Sequence, residues 1–331
     1  MKWSADFRDA EVGTVISIAR VTERPETAAV TAGRDSTSSL APALWPSTVW
    51  ESDGLDDATR RATGTRSTEF YSRYANPTVA QFEQAVARLE NAPAALAFAS
   101  GMGAVSSVVL ALCSSGSHIV AQNNLYGATL SFLLGPCARF GIETTLVDAT
   151  QPGAFAAAVR PGKTTLVIAE TPSNPKLAIT NLAELGQIPG PFTVVDSTLA
   201  TPLGQRPLDF GVDLVLHSAT KGLGGHNDAL LGVVAGDADL VNAVWHYAVM
   251  HGAAASPHDA LNALRGIKTL GVRLNHQNVS ALRLARRLES HARITGVWHP
   301  FLESHPQHDL ARSQMRLGGT ILAAELDDGV D

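Results

Sequence analysis

The chain lacks the features that mark several whole classes of protein. Its only two cysteines in 331 residues, Cys113 and Cys137, are too few for a disulfide scaffold, and both lie in apolar, helix-like surroundings. No run approaches the roughly 18 apolar residues that suggest a membrane span. The start, with Asp6, Asp9 and Glu11, lacks the pattern of a signal peptide. We therefore expect a cytoplasmic protein with buried, inert thiols and no membrane partner.

An excess of basic residues is also missing. The chain has 25 Lys and Arg against 31 Asp and Glu, a net charge of -6, which argues against broad nucleic-acid binding. Hydrophobic residues make up 45% and charged residues 17%, a balance typical of an ordinary soluble enzyme. A chain of this length can bury a large core and is expected to form roughly two domains.

The histidines do not follow a metal-binding pattern. His246, His251 and His258 are spaced by five and seven positions, and His305 and His308 lie in a proline-containing stretch. Neither arrangement matches a common metal motif, so no metal site is predicted.

Apolar, strand-like runs alternate with helical patterns from residue 93 onward. The runs cover residues 94–98, 119–122, 144–147, 165–169, 192–195, 214–217 and 231–235. Repeated alternation of strand and helix predicts an α/β fold with a mostly parallel sheet and helices on both faces.

The two ends of the chain differ from this middle part. Residues 1–70 have no strong periodicity and are predicted to form an irregular arm that contacts a partner subunit. A large domain is predicted over 71–245 and a smaller one over 246–331, where strand signals thin out. Two helices are predicted in the smaller domain, over 259–270 and 275–291. The closing segment 318–326 is strand-like with no partner strand after it, so we expect this domain to be incomplete.

Lys221 is the most informative residue. It follows the run 214–217, within Ser218-Ala219-Thr220-Lys221, and a glycine-rich stretch comes after it. It is therefore expected on a loop at the carboxyl end of a strand, where open α/β sheets bind ligands. A lysine beside two hydroxyls that could bind a phosphate suits an aldehyde cofactor, and pyridoxal 5'-phosphate (PLP) is the first candidate. The alternative is an ordinary surface lysine after a strand.

A phosphate seat and an acid are predicted at the same edge of the sheet. Ser100, Gly101 and Met102 follow one strand and open a helix, so backbone amides would point outward at a positive helix end. Such a turn is also common without a ligand. Asp196 ends another strand, and its carboxylate could keep a cofactor ring nitrogen protonated. A helix cap is the alternative for Asp196.

Further candidates could contact the ring and the phosphate. Tyr126 follows a strand and could stack on the ring, or be a tyrosine with no special role. Asn174, between two prolines, is a rigid amide donor suited to the phenolic oxygen, or part of a simple turn. Arg73 has forked donors that suit a phosphate, although an exposed arginine is often only a solvated charge. If the arm crosses a two-fold axis, Arg73 and Tyr71 would complete the partner's site.

Taken together, these segments resemble the Cys/Met metabolism PLP-dependent enzyme family, which contains cystathionine γ-synthase, cystathionine lyases, methionine γ-lyase and homoserine-ester sulfhydrylases. The likeness runs from about residue 27 to residue 326. Its motifs are Tyr71-Ser72-Arg73-Tyr74-Ala75-Asn76-Pro77-Thr78, Ser100-Gly101-Met102, Glu170-Thr171-Pro172-Ser173-Asn174-Pro175, Val195-Asp196 and Ser218-Ala219-Thr220-Lys221 with Gly225-His226. The resemblance implies the fold-type I, aspartate aminotransferase-like architecture and a homotetramer of two active dimers.

The resemblance also implies roles for single residues. Lys221 would bind the cofactor covalently and then move protons, and it is the predicted catalytic residue together with Tyr126, which would stack on the ring. Asp196 would hold the pyridine nitrogen, and Asn174 would lie near the phenolic oxygen. The phosphate would be held by Ser100, Gly101, Met102, Ser218 and Thr220, joined by Tyr71 and Arg73 of the neighbouring subunit.

The implied substrates are sulfur-containing amino acids and their precursors. The first hypothesis is γ-replacement on an activated homoserine ester, which makes cystathionine or homocysteine, and the second is a lyase that cleaves cystathionine or related thioethers. Ala128 stands where methionine γ-lyases usually have a cysteine, two positions after the stacking tyrosine, so a dedicated methionine lyase is disfavoured. The third hypothesis is a non-catalytic family member that retains the fold.

The family normally continues for several tens of residues beyond position 331 and there supplies the arginine that binds the substrate α-carboxylate. The resemblance therefore implies weak activity, or none, for this chain. A carboxyl-terminal extension that left turnover unchanged would contradict that expectation.

Overall fold

The middle of the chain folds into one sheet whose strands follow the predicted runs. The computed structural model describes residues 23–34 and 39–327, and in this part of the chain seven strands form the large sheet. They are β1 (Ala94–Phe98), β2 (His118–Gln122), β3 (Glu143–Val147), β4 (Thr164–Glu170), β5 (Phe192–Asp196), β6 (Leu214–Ser218) and β7 (Gly232–Gly236). Each end lies within one residue of its predicted run, so these predictions are confirmed.

The sheet is mostly parallel, as predicted. Its order is β1-β7-β6-β5-β4-β2-β3, and only β7 runs antiparallel to its neighbours among these strands. In register, Glu170 of β4 lies beside Asp196 of β5, and Asp196 lies beside Leu216 of β6. The carboxyl ends of these three strands therefore meet at one edge, which we call the rim.

Twelve α-helices lie in the described part of the chain, and several of them cover the two faces of this sheet. The twelve are α1 (Pro25–Thr31), α2 (Leu55–Thr63), α3 (Pro77–Glu90), α4 (Gly101–Leu112), α5 (Gly127–Phe132), α6 (Ala154–Ala158), α7 (Leu182–Leu185), α8 (Thr201–Gly204), α9 (Ala238–His251), α10 (Pro257–Ile267), α11 (Leu270–Glu289) and α12 (His308–Gln314). Successive side chains of β7 point to opposite faces of the sheet and so join the hydrophobic cores on both sides. Val233 packs with α3 and α10, and Val234 packs with α4 and α9.

Local sequence signals set the helix ends. At the start of α3, the Asn76 side chain accepts the Thr78 N–H at 2.9 Å, and Pro77 occupies the first helical position. The helix ends at Asn91, whose φ of 56° is left-handed. These are the residue types that favour helix caps and the first turn, so the pattern predicts a helix whose ends are well defined.

A small two-stranded sheet lies late in the chain. It pairs β8 (Ile294–Trp298) antiparallel with β9 (Ala323–Leu326). The sequence predicts β9 within 318–326 but does not predict β8. The partner strand of β9 therefore precedes it in the chain, where the sequence has no strand signal. Strand β8 is hard to recognise because it contains Gly296 and has no fully buried residue.

The amino-terminal arm and the helices of the predicted smaller domain differ in part from the sequence predictions. The arm is not irregular throughout, because α1 and α2 lie in it; both are short, which weakens any periodic signal. The predicted helices over 259–270 and 275–291 correspond to α10 and α11, although α11 begins five residues earlier than expected, at 270. The division at 245 stays a prediction, and residue 245 lies within α9.

The sequence also singles out the amino-terminal acidic residues, the lack of a predicted membrane span and the two cysteines. Asp6, Asp9 and Glu11 lie outside the described residues, as does 328–331. Among the helices that the structure describes, none combines the length and apolar character needed to cross a bilayer. Cys113 and Cys137 are buried, and burial raises the pKa of their thiols to about 12 and about 11.

Candidate active site

Lys221 lies on a turn just after β6, at the rim. Its N–H donates to the Ser218 carbonyl at 3.0 Å, and its own carbonyl accepts the Gly225 N–H at 2.8 Å. The Lys221 side chain is exposed. The Thr220 hydroxyl accepts the Leu231 N–H at 3.0 Å and donates to the Leu231 carbonyl at 3.2 Å. The backbone around Lys221 is thus fixed while its amine faces solvent.

The Ser100 turn and the end of β6 meet at this rim. Ser100 caps α4, because its Oγ accepts the Gly103 N–H at 3.0 Å. A Cβ added at Gly101 would lie 3.0 Å from the Cβ of Ser218 and 3.2 Å from its Oγ. The structure therefore brings together two segments that the sequence predicts as halves of one phosphate seat. The first amides of a helix have no carbonyl one turn before them, so they are available to an anion. Met102 follows in the first turn of α4, and its Sδ accepts a hydrogen bond from the Thr129 hydroxyl at 3.8 Å.

Gly232 makes this approach possible. It lies in β7 between Phe98 of β1 and Ser218 of β6. A Cβ at Gly232 would lie 2.2 Å from the Ser100 carbonyl oxygen, closer than real Cβ atoms come. Sequence reasoning missed this residue, although a glycine that opens a strand is a known sign of close backbone approach.

Asp196 ends β5 and is held by Thr198. Its Oδ1 accepts the Thr198 N–H at 2.9 Å and the Thr198 hydroxyl at 2.5 Å. The same hydroxyl oxygen accepts the Ser218 N–H at 2.7 Å. Burial raises the pKa of Asp196, and the Thr198 hydrogen bonds and the nearby His217 oppose this rise. Thr198, which sequence reasoning missed, therefore connects the acid to the Ser218 turn.

Tyr126 and Asn174 lie on two neighbouring loops that share one carboxyl group. The Tyr126 side chain is 52% exposed, and its N–H donates to Oε2 of Glu170 at 2.7 Å. The Asn174 side chain is also exposed, and its N–H donates to Oε1 of Glu170 at 3.0 Å. Glu170 itself is buried. Desolvation, and then the charge of Asp196, raise the pKa of Glu170 to about 8. The sequence contains Glu170 in a motif but gives it no role.

A small apolar cavity lies beneath the two carboxyl groups. Its volume is about 20 Å³, and its walls include Val109, Ile168 and Leu216 beside Glu170 and Asp196. Because these apolar walls offer little solvation, burial raises the pKa of both carboxyl groups, and the hydrogen bonds that each one accepts oppose this rise.

Arg73 contacts helix α9 of its own chain, and Tyr71 lies beside Arg73. The Arg73 guanidinium lies 5.2 Å and 5.3 Å from the ring centres of Tyr71 and Tyr74. It also donates to the Val249 carbonyl at 2.5 Å. Tyr71 is 37% exposed. The role of both residues at a partner subunit's phosphate stays a prediction.

The rim offers chemical groups that match PLP. A phosphate carries negative charge, which suits the glycine-lined start of α4 beside Ser218. A protonated ring nitrogen suits the carboxyl group of Asp196, and an aldehyde suits the exposed amine of Lys221. Among the described residues, no cluster of three or more His, Cys, Asp or Glu side chains could hold a metal ion. The fold and this set of groups define a fold-type I PLP-dependent enzyme.

The comparisons with known proteins give the family. The sequence profile described as Cys/Met metabolism PLP-dependent enzyme matches residues 26–331, so the chain belongs to this family and PLP is its cofactor. The L-methionine γ-lyase of Porphyromonas gingivalis is 39% identical over 298 residues, which cover 88% of this chain and 74% of that protein. The chloroplastic cystathionine γ-synthase 1 of Nicotiana tabacum is 39% identical over 260 residues, which cover 78% of this chain and 48% of that protein.

A solved structure agrees with the family assignment. The cystathionine γ-synthase of Xanthomonas oryzae pv. oryzae, in complex with aminoacrylate and cysteine, superposes with a TM-score of 0.85 at 34% identity. The match covers 92% of this chain and 78% of that one. The predicted family, fold class, cofactor and enzyme class are therefore confirmed, and the chain is a PLP-dependent enzyme of sulfur amino-acid metabolism.

Proposed function

We propose that this enzyme catalyses γ-replacement on an activated homoserine ester, as cystathionine γ-synthases do. The observation that carries the choice is Ala128, half-buried in the first turn of α5, two positions after Tyr126. The family resemblance associates a cysteine at this position with methionine γ-lyases. A methyl group offers neither a nucleophile nor a proton donor to the substrate. The similarity to cystathionine γ-synthases supports the same choice.

Binding of the phosphate is the first task proposed for the rim. Gly101 and Met102 would donate backbone N–H groups, and Ser218 would donate its hydroxyl, because Gly101 approaches Ser218 closely. Ser100 would contribute by capping the helix that directs these amides. Thr220 has its hydroxyl engaged by Leu231, so we propose that it supports the turn and reaches the phosphate only in addition.

Charge control is the second task. Asp196 would accept the ring nitrogen's proton as a hydrogen bond and so keep that nitrogen protonated. Two hydrogen bonds from Thr198 orient the Asp196 carboxyl group and oppose the effect of burial. When bound, PLP supplies an aldehyde carbon for covalent attachment and a ring that accepts the electron pair left at the substrate Cα.

Proton transfer is the third task. The Lys221 amine would hold the cofactor, and after the substrate amine displaces it, the same amine would take the proton from the substrate Cα. The backbone of Lys221 is held by hydrogen bonds, and its exposed side chain can extend toward the cofactor and the substrate from this fixed point. Tyr126 would cover one face of the ring, and Asn174 would donate its side-chain amide to the phenolic oxygen.

We also propose a cytoplasmic homotetramer in which Tyr71 and Arg73 contribute to the neighbouring subunit's phosphate site. Exposed apolar side chains on the arm support an interface there. Trp45 is 46% exposed, Val49 63% and Leu55 82%. A row of such residues on one segment is typical of a surface that another subunit covers.

A carbon–sulfur lyase is the second candidate. The similarity to the Porphyromonas gingivalis methionine γ-lyase favours it. Both reactions remove a γ-substituent from an amino acid, and they differ in whether a thiol then adds to the remaining carbon skeleton or water releases an oxoacid. The two candidates therefore predict different products from the same enzyme.

The test begins with the cofactor and continues with the products. The purified protein is loaded with PLP and reduced with borohydride, and the modified peptide is identified by mass spectrometry. Attachment at Lys221 supports the site. Protein at near-stoichiometric concentration is then incubated with O-succinylhomoserine and cysteine, or with cystathionine or methionine alone, because this design detects even weak activity.

The products separate the hypotheses. Cystathionine from the ester and cysteine supports γ-replacement, whereas 2-oxobutanoate with a released thiol from cystathionine or methionine supports the lyase. Loaded protein that forms neither would point to a non-catalytic family member. Lys221→Ala should lower product formation roughly a thousandfold or more. Lys163→Ala, which removes an exposed lysine at the opposite end of β4, should not change it.

A further inference from the structure

Glu170 carries a buried carboxyl group that the proposed function does not use. It ends β4 and is only 6% exposed. Gln122 fixes its backbone on both sides, because the Gln122 amide oxygen accepts the Glu170 N–H at 2.9 Å and the amide nitrogen donates to the Glu170 carbonyl at 3.0 Å. A buried acid is costly unless it is hydrogen-bonded, so its partners indicate what it does.

Both oxygens of this carboxyl group accept backbone N–H groups from separate loops. Oε2 accepts from Tyr126, after β2, at 2.7 Å, and Oε1 accepts from Asn174, after β4, at 3.0 Å. A second link joins the same two loops, because the Asn124 side-chain amide donates to the Ser173 hydroxyl at 2.8 Å. The hydrogen bonds from Tyr126 and Asn174 favour the ionised form of Glu170 and so oppose the effect of burial on its pKa. Glu170 therefore sets the distance between the two loops.

We infer that Glu170 is a positioning residue that bridges the loops of Tyr126 and Asn174, so that the tyrosine ring and the asparagine amide reach the cofactor together. This inference rests on the proposed function, which assigns those two side chains to the ring face and the phenolic oxygen. Glu170 acts through their backbone amides, since its own oxygens are engaged by them.

Position 170 requires a side chain that reaches both loops and accepts an N–H group from each. A carboxylate can accept two N–H groups, one on each oxygen. A glutamine has one acceptor oxygen, and its NH₂ group faces the second N–H, so one loop loses its contact. An aspartate keeps the charge but is shorter by one methylene group. Only glutamate both reaches and satisfies the two loops.

Glu184 offers a control with the same chemistry at an exposed position. Its carboxylate also accepts a loop N–H, from Gly153 at 3.0 Å, and a second donor, the Asn181 side-chain amide, at 2.9 Å. It lies in α7, outside the rim. Glu184→Gln therefore changes the same chemistry in a loop that carries none of the proposed site residues.

The experiment compares Glu170→Gln, Glu170→Asp and Glu184→Gln with the unsubstituted protein, each with and without PLP. Hydrogen–deuterium exchange with mass spectrometry follows the peptides that contain Tyr126 and Asn174. The visible absorption maximum of the bound cofactor reports the contacts at its ring. We expect exchange in at least one of the two peptides to rise about tenfold in Glu170→Gln, together with a shift of the absorption maximum. Glu184→Gln should change neither.

Unchanged exchange in both peptides of Glu170→Gln would overturn the inference, as would an equal change in Glu184→Gln. If Glu170→Gln does not fold, Glu170→Asp supplies the same exchange measurement. If unsubstituted protein never binds PLP at Lys221, the proposed function fails, and the exchange of the cofactor-free protein still decides whether Glu170 bridges the loops. The two failures are therefore distinguishable.

Discussion

The rim and the small sheet are both built from short strands, yet they differ sharply in burial. In β4, which leads to the rim, every residue except Thr165 is buried. In β9, Ala323 is half-exposed and the rest of the strand is exposed. At the rim, the Glu170 and Asp196 side chains accept hydrogen bonds from loop N–H groups, and Asp196 also accepts one from the Thr198 hydroxyl.

The difference shows where side-chain hydrogen bonds matter. A buried polar group that loses its partner has no water to replace it, so its desolvation remains uncompensated. An exposed group exchanges one partner for water at little cost. Matched substitutions in buried and exposed positions should therefore have unequal effects on the free energy of unfolding.

The largest effect is expected at a fully buried contact between a histidine and a glutamate behind the rim. His217 of β6 and Glu90 at the end of α3 are 1% and 0% exposed, and the distance between Nε2 of His217 and Oε1 of Glu90 is 2.6 Å. Glu90→Ala should lower the free energy of unfolding by about 3–5 kcal/mol, because it leaves a buried imidazole without its partner. Urea denaturation measures this.

Arg88 supplies the control for that prediction on the same helix. It pairs with Glu23 at 2.5 Å, but the two side chains are 44% and 38% exposed. Arg88→Ala should cost about 0–1 kcal/mol. Equal losses in the two variants would contradict the comparison between buried and exposed pairs.

The next effect is expected at Thr198. Thr198→Val removes a hydroxyl that donates to Asp196 and accepts the Ser218 N–H. Two polar groups lose a partner, so we expect a loss of about 2–3 kcal/mol in the free energy of unfolding and weaker PLP binding. Denaturation and cofactor titration measure the two effects. A variant as stable as the unsubstituted protein would show that these hydrogen bonds are replaceable.

The pH dependence of stability tests the carboxyl groups of the rim. The pKa of Glu170 in the folded protein is raised to about 8, mainly by burial, whereas an unfolded glutamate titrates near about 4.3. The folded state therefore favours the protonated form more than the unfolded state does, although the N–H groups of Tyr126 and Asn174 oppose this preference. The stability that Glu170 contributes is complete below the unfolded pKa and is lost as the pH rises through the folded pKa.

Glu170→Gln lacks this ionisation. Between about pH 5 and about pH 6.5, the unsubstituted apoprotein should lose on the order of 2 kcal/mol more stability than the variant. The measurement is urea denaturation of both cofactor-free proteins across this range. Parallel curves would mean that Glu170 does not titrate there.

The sequence predicts the rim in part. Lys221 and Asp196 are recognisable because each directly follows an apolar run, and the carboxyl ends of parallel strands share one edge. Glu170 follows a run in the same way, but its function depends on two loop amides whose positions no local pattern specifies. Thr198 and Gly232 were missed for the same reason, since their contacts join segments distant in sequence.

The small sheet shows the opposite limit of sequence reasoning. A buried strand needs apolar residues and can therefore be recognised in the sequence. Strand β8 has no fully buried residue and contains Gly296, so it lacks this signal. Pairing with β9 across an intervening helix, α12, is a tertiary feature. The sequence pattern therefore predicts the large sheet to within one residue at each strand end and leaves half of the small sheet unrecognised.

The smallest effect is expected in that small sheet, where the substitution made at Thr198 can be repeated. The exposed Thr295 hydroxyl donates to the Glu325 carbonyl at 3.2 Å, across β8 and β9. Thr295→Val keeps the β-branched shape that suits a strand and removes this one bond. Water can take its place, so we expect a change within about 0.5 kcal/mol in the free energy of unfolding. Denaturation of Thr198→Val and Thr295→Val side by side tests the comparison directly, because the chemical change is identical while the burial and the number of hydrogen bonds lost differ. If Thr295→Val were as damaging as Thr198→Val, exposure would not explain the difference between the two regions.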